Sequence, residues 1–268
     1  MSNKNLGYQT PERPPTVVII KGLHSSEFLF EPTRRVLDPF EVITIDPEDY
    51  VCDCQVDCLV DLTANIISEL DDHHVQNAVF ISFGIGNQLS FLIAKQRADL
   101  FQSQILVGLS NRSMDPVLLQ VYEKALEYWH QHPEDTSALQ LLREILMGKH
   151  APEDKLLETE IFRSIRLDSF KKLKFLLELG DKKIFSKEEL ANYKIPNFIV
   201  CSQNDPFTHK ESAVRFSAEI GTNRGLLIVK ESQNNFSLVR AKSFELVLEV
   251  LAADFLHENA HNSSMVSA

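Results

Sequence analysis

Glycine is scarce in this chain. Nine occur in 268 residues, about half of what an ordinary usage of about 7% would supply. Each is therefore a candidate for a backbone position that no side chain can occupy. Cationic excess is missing as well: 27 Lys and Arg stand against 38 Asp and Glu, for a formal net charge of −11. That balance argues against a nucleic-acid partner, which requires a basic face or stripe. The one dense basic stretch, Lys171-Lys172-Leu173-Lys174, falls in a helical pattern and reads as a solvated helix face. No apolar run approaches the roughly 20 residues a membrane-spanning helix needs, so no membrane partner is expected. Met1–Pro15 is polar and proline-dotted, without the apolar segment of a signal peptide. The expected location is cytoplasmic, with the four cysteines as reduced thiols. What is present, 44% hydrophobic and 24% charged residues, suits a soluble globular protein with a large core. It excludes a collagen, an acidic disordered tail and a disulfide-stapled miniprotein.

Along the chain, short apolar runs alternate with helical periodicity. The runs predict strands over 16–20, 41–45, 78–82, 104–109, 197–201 and 225–230. Most are continuous rather than alternating, as in parallel strands covered on both faces. Helices are predicted between them over 56–71, 87–97, 211–219 and 239–256. This rhythm argues for an α/β class, a mostly parallel sheet flanked by helices. It breaks once. Between Asp115 and Tyr193 only helical stretches appear, over 116–130, 136–147, 154–165 and 169–179. Such an all-helical insertion between two strands predicts a cap over the sheet's carboxyl edge, where open α/β sheets bind ligands. The expected division is a core of 15–112 and 194–256, a cap of 113–193, and loose tails at 1–14 and 258–268.

Three segments resemble the α/β-hydrolase fold superfamily in its capped form, over essentially residues 16–256. Val18-Ile19-Ile20-Lys21-Gly22-Leu23-His24 is similar to the strand and loop supplying one oxyanion donor. Ala78 to Gly86, followed by a helix near Asn87, resembles the strand–turn–helix elbow that presents the nucleophile. Ile195-Pro196 through Asn204-Asp205-Pro206 is similar to the loop of the acid. The departures matter more. The family elbow is G-x-S-x-G with a serine on a strained turn, whereas this chain has Ser82-Phe83-Gly84-Ile85-Gly86. The resemblance puts Gly84 at the nucleophile position, Asp205 at the acid position, and Asn235 (or Asn234, one residue earlier) at the histidine position. A Gly–Asp–Asn set has neither nucleophile nor base, so no intact catalytic triad is expected. Glycine would also relieve the strain of the turn.

The binding hardware is expected to remain. The amides of Leu23 and Ile85 would stand where the oxyanion donors stand, His24 would lie at the pocket mouth, and Asn235 would offer a hydrogen bond. Plainer readings stay open. Gly84 and Gly86 fit any tight strand-to-helix turn, Asp205-Pro206 a helix-capping turn, His24 a surface loop, and Asn234-Asn235 a polar turn. Ser82 is a weak candidate for a displaced nucleophile, since it precedes the turn inside a buried strand; Ser25, Ser26, Ser110 and Cys201 are weaker. Cys52, Cys54 and Cys58 have poor spacing for a zinc site, so no metal is expected; no cofactor is implied either. Trp129, Tyr122, Tyr128 and Leu126 suit cap packing or pocket lining equally. Three functions are compatible: a silenced member holding a small apolar or acyl-type ligand between core and cap; an enzyme of this fold, using His24 or Asp205 in acid–base chemistry (lyase, isomerase or cyclase) or a displaced nucleophile; and a scaffold whose partner binds the cap.

Overall fold

The computed structural model describes residues 14–25, 27–53, 58–109, 116–147, 155–168, 170–173, 186–205, 209–230 and 242–251. Among them, six strands form one sheet: β1 (Thr16–Ile20), β2 (Glu41–Ile45), β3 (Ala78–Phe83), β4 (Phe101–Val107), β5 (Asn197–Ser202) and β6 (Asn223–Val229). Their order is β2-β1-β3-β4-β5-β6, and every neighbouring pair is parallel. All six carboxyl ends therefore lie along one edge, and the loops that follow them gather there. The helices are α1 (Glu31–Val36), α2 (Pro47–Asp53), α3 (Leu59–Asp72), α4 (Ile85–Gln96), α5 (Pro116–Gln131), α6 (Thr136–Met147) and α7 (Lys155–Ser164), with Lys187–Ala191, Lys210–Glu219 and residues 242–251 later.

The two-residue period of the strands divides the core. Val18, Ile20, Phe80, Leu106 and Ile199 join Leu62, Ile66 and Leu70 of α3 and Leu89 and Ile93 of α4. Val17, Ile19, Val79, Ile81, Ile105 and Val200 join Phe30, Phe40 and Phe244 in the second cluster. That cluster continues into Tyr122 and Leu126 of α5, Leu142 of α6, and Phe170. A sheet covered on both sides leaves little place for polar residues in its central strands, and all six residues of β3 are buried.

The strands β1 and β2 fall on the expected residues. β4 begins three residues before the expected Gln104, and β6 two before Gly225. In both cases a polar pair, Gln102-Ser103 or Asn223-Arg224, hides the start of an apolar run. The helix expected over 56–71 starts at Leu59. The short helices α1, α2 and Lys187–Ala191 lie outside the expected set, because too few turns are present to show a period. At α2 the local chemistry is nonetheless clear: proline opens the helix, and the Asp46 carboxylate accepts from the Glu48 amide at 3.0 Å. This satisfies one of the donors a helix start leaves unpaired.

Between β4 and β5 the described residues form helices joined by turns and contain no strand. Residues 164–172 of this stretch reach the loop beyond β1 and helix α2 beyond β2. The Ser164 hydroxyl donates to the His24 carbonyl at 2.6 Å, Arg166 donates to Asp49 at 2.7 Å, and the Lys172 ammonium donates to the Val51 carbonyl at 2.9 Å.

The head of α4 sits hard against the end of β1. A Cβ on Gly86 would lie 2.5 Å from the Ile20 carbonyl oxygen and 2.8 Å from that of Lys21. Backbone cannot yield as a side chain does. Gly86→Ala should therefore lower stability by roughly 1–3 kcal/mol, seen as a drop in the thermal midpoint. An unchanged or raised midpoint would show that this contact is not tight.

Candidate functional site

The sharp turn between β3 and α4 is made by Gly84, whose φ of 53° and ψ of −114° lie in a region that costs a side-chain-bearing residue about 1–3 kcal/mol. The turn is closed on both sides. The Gly84 amide donates to the Val107 carbonyl at 3.1 Å, and the Gly84 carbonyl accepts from the Asn87 amide at 3.1 Å. Ile85 and Gly86 follow as the first residues of α4, with no acidic side chain in that turn to neutralise the helix's positive end. Gly22 packs beside the turn, where a Cβ would meet the Phe83 carbonyl oxygen at 3.2 Å. Leu23 comes next, half-buried and touching both core clusters.

The structure thus brings Leu23, Gly84 and Ile85 to the carboxyl edge from the adjacent strands β1 and β3. Asp205 is at the same edge, beyond β5 and two strands from the turn, and is buried. Burial, helped by the charges of Asp205 and Glu211, pushes the neighbouring Cys201 thiol up to about 11. Asn234, Asn235 and the Cys52 and Cys54 side chains lie outside the described residues. Cys58 is a half-buried free thiol.

Ser82 does not reach the edge. Its hydroxyl donates to the Asn87 side-chain oxygen at 2.8 Å, Asn87 in turn donates to the Val107 carbonyl at 2.9 Å, and both residues are fully covered. Ser25 is also covered, its hydroxyl donating back to the Leu23 carbonyl at 3.3 Å.

His24 departs from expectation. The sequence suggests a pocket mouth or a surface loop, yet the residue is only 1% exposed and adopts a φ of 53°. Its ring lies between Tyr122 and Phe170, at centroid distances of 5.9 and 5.8 Å. Its amide donates to Glu48 Oε1 at 2.6 Å, and its Nδ1 is 3.5 Å from the same oxygen. Among the described residues neither ring nitrogen has a hydrogen-bond partner. Burial, with the nearby Arg166 charge, lowers the imidazole to about 3, so His24 is neutral throughout the physiological range.

Glu48, which the sequence reading missed, is equally buried. Burial raises its carboxyl to about 7; the His24 amide and Arg166 oppose this shift, and Asp46 adds to it. Arg166 reaches three carboxylates of this corner: Asp49 at 2.7 Å, Glu48 at 3.3 Å and Asp46 at 3.5 Å. Lys21 stands 3.6 Å from Asp46. The available signal was the acidic run Asp46-Pro47-Glu48-Asp49 directly after a strand, at the edge where ligands bind. Nothing in the sequence marks Arg166 as its partner.

A cavity of about 340 Å³ lies between Leu126, Trp129 and His130 of α5 and residues 165–168. A ligand space was expected beside Gly84; none of the residues lining this cavity belongs to the elbow.

No protein-family model and no curated protein sequence matches the chain. Solved structures do. A meta-cleavage product hydrolase from Pseudomonas fluorescens is similar with a TM-score of 0.70 and 17% identity, covering 90% of this chain and 92% of that one. An enol-lactonase from Burkholderia xenovorans gives 0.69 at 14% identity, with 91% and 92% covered. A carboxylesterase structure from the thaumarchaeon Nitrososphaera gives 0.70 at 14% identity, with 92% of each chain covered. At these identities the likeness shows the fold: the chain has the α/β-hydrolase fold, with its parallel sheet flanked by helices.

The Glu48 environment has a pH consequence. Its carboxyl holds a proton more tightly in the folded chain than in the unfolded one. The stability this provides is present below about pH 4.5 and is lost as pH rises through about 7. The side-chain amide introduced by Glu48→Gln cannot ionise. Relative to the parent, that variant should therefore gain roughly 1–3 kcal/mol in denaturant unfolding between about pH 5 and about pH 8. A difference that stays constant with pH would show that Glu48 is not buried as described.

Proposed function

We propose that this chain is a catalytically silent protein of the α/β-hydrolase fold, binding a small apolar or acyl- or carbonyl-type ligand between a core of 15–112 and 194–256 and a helical cap of 113–193. One observation carries the reading: a glycine, Gly84, occupies the left-handed turn at the head of α4. In the corresponding elbow of the fold that turn presents a nucleophile. Hydrogen in place of a side chain leaves nothing to attack an acyl carbon. With Asn235 at the histidine position, no base would activate a water in its stead, because an amide does not take a proton near neutrality. Asp205, at the acid position, would then have no histidine to orient.

The donors survive this loss. The amides of Leu23 and Ile85, beside the positive end of α4, suit a carbonyl or carboxylate oxygen. Asn235 would add a hydrogen bond, and Leu23 an apolar wall. Without bond breaking, the same hardware is a receptor.

A second reading has one observation in its favour. A carboxyl held near pH 7, as Glu48 is, suits general acid–base chemistry, which is most effective when the group's pKa lies near the working pH. Glu48 then replaces His24, whose imidazole is held at about 3, as the group to test for lyase or isomerase activity.

Native mass spectrometry of the purified full chain, before and after incubation with apolar ketones and esters, tests the first reading. A reversible adduct, lost on denaturation, with the ester recovered intact, is the expected result. Ester consumption above the buffer rate, abolished by substituting one residue of the chain, would refute it. If that residue were Glu48, the second reading would stand.

A further inference from the structure

The His24–Glu48 pair and the Trp129 cavity are joined along two walls. On α5, Tyr122, Leu126 and Trp129 are spaced i, i+4 and i+7 and so share one face. Tyr122 lies against the His24 ring, while Leu126 and Trp129 line the cavity. Arg166 also lines the cavity and approaches Glu48 to 3.3 Å. Its side chain is 39% exposed, against 2% for Glu48. Arg166 therefore stands between open space and a buried imidazole with both nitrogens unpartnered among the described residues. Two residues earlier, Ser164 ties the same segment to the His24 carbonyl.

We infer that the cavity is the outer half of a binding site whose inner half is the His24–Glu48 pair, that Arg166 is the gate between the halves, and that the site admits small uncharged molecules able to hydrogen-bond to the His24 ring. Swinging the guanidinium outward breaks its contacts with Asp46, Glu48 and Asp49 but needs no movement of the sheet. The restriction to uncharged molecules follows from the surroundings. Asp46, Glu48 and Asp49 border the passage and Asp168 lines the cavity, which disfavours anions. A cation would have to pass the displaced Arg166 guanidinium at the mouth and be stripped of water beside the apolar rings of Tyr122 and Phe170. Leu126, Trp129, Ile165 and Leu167 suit an apolar body. This inference does not depend on the elbow, because it concerns residues beyond β1 and β2 and the helical stretch that covers them.

Diethyl pyrocarbonate, itself a small uncharged carbonyl compound that acylates neutral imidazole, is the probe. Its rate of reaction with His24 in the full-length chain is measured by peptide mapping, with exposed His74 as the internal standard. Losing a charge-assisted hydrogen-bond cluster should raise the open fraction, so Arg166→Gln is expected to speed His24 modification roughly tenfold. Hydrogen exchange of the β3 and β4 amides should stay unchanged. Equal His24 rates in the parent and Arg166→Gln would overturn the gate. If Arg166→Gln loses its core protection, Asp49→Asn decides, since it removes the shortest contact to Arg166 at a side chain 61% exposed. A roughly two- to threefold faster His24 reaction is expected there, and no change would overturn the inference.

Discussion

Between β3 and α4 the chain turns from strand to helix through one residue held at positive φ, and much of the molecule is arranged around that turn. The Gly84 amide and carbonyl are both engaged, by Val107 of β4 and by Asn87 of α4. Asn87 also fixes the Ser82 hydroxyl and returns to Val107. Residues of three elements thus lock one another. Because the turn is tight, the head of α4 comes close to β1, and Gly86 is the residue that permits the approach. The free amides at the start of α4 consequently face the same edge as Leu23. In a fold built to present a nucleophile here, the strain of the turn falls on that nucleophile. With glycine the strain disappears; on the proposed reading the nucleophilic chemistry goes with it, while the amides of Leu23 and Ile85 stay available as donors.

The second constraint is electrostatic and sits beyond β1 and β2. Burying Glu48 beside His24 removes two ionisable groups from water, and the chain answers by weakening the charge of both: the imidazole is held low and the carboxyl is raised. Arg166 compensates the remaining carboxylates from outside. It comes from the stretch between β4 and β5, so the charge balance of one corner of the core depends on the inserted helices. A pairing of this kind contributes less net stability than its distances suggest, because desolvation offsets much of the attraction. Its more specific effect is to hold the segment around Ser164 and Arg166 in one position over the loops that follow β1 and β2.

Much of this was legible in the residues. β1 and β2 are short β-branched runs bounded by turns, and both fall where expected. The elbow was legible because glycine is scarce. With nine in the chain, the Gly84–Gly86 pair stood out after an apolar strand, and the turn is there. His24 was visible as a candidate, but its place was not. Whether a loop histidine is exposed or buried depends on Tyr122 and Phe170, which are remote in sequence and carry no motif. Glu48 and Arg166 escaped for the same reason: their roles come from tertiary proximity and desolvation. The Asn235 assignment falls on residues outside those described, so it rests on the resemblance alone.

The central claim is that no serine of this chain attacks an acyl or phosphonyl centre. Its most direct test is intact-mass analysis under denaturing conditions after exposure of the folded full chain to a fluorophosphonate. The account predicts an unmodified mass, with the same reagent fully labelling an active serine hydrolase in a parallel reaction. A stoichiometric adduct mapped to any serine of the chain, Ser25 beyond β1 or Ser82 within β3 above all, would contradict it.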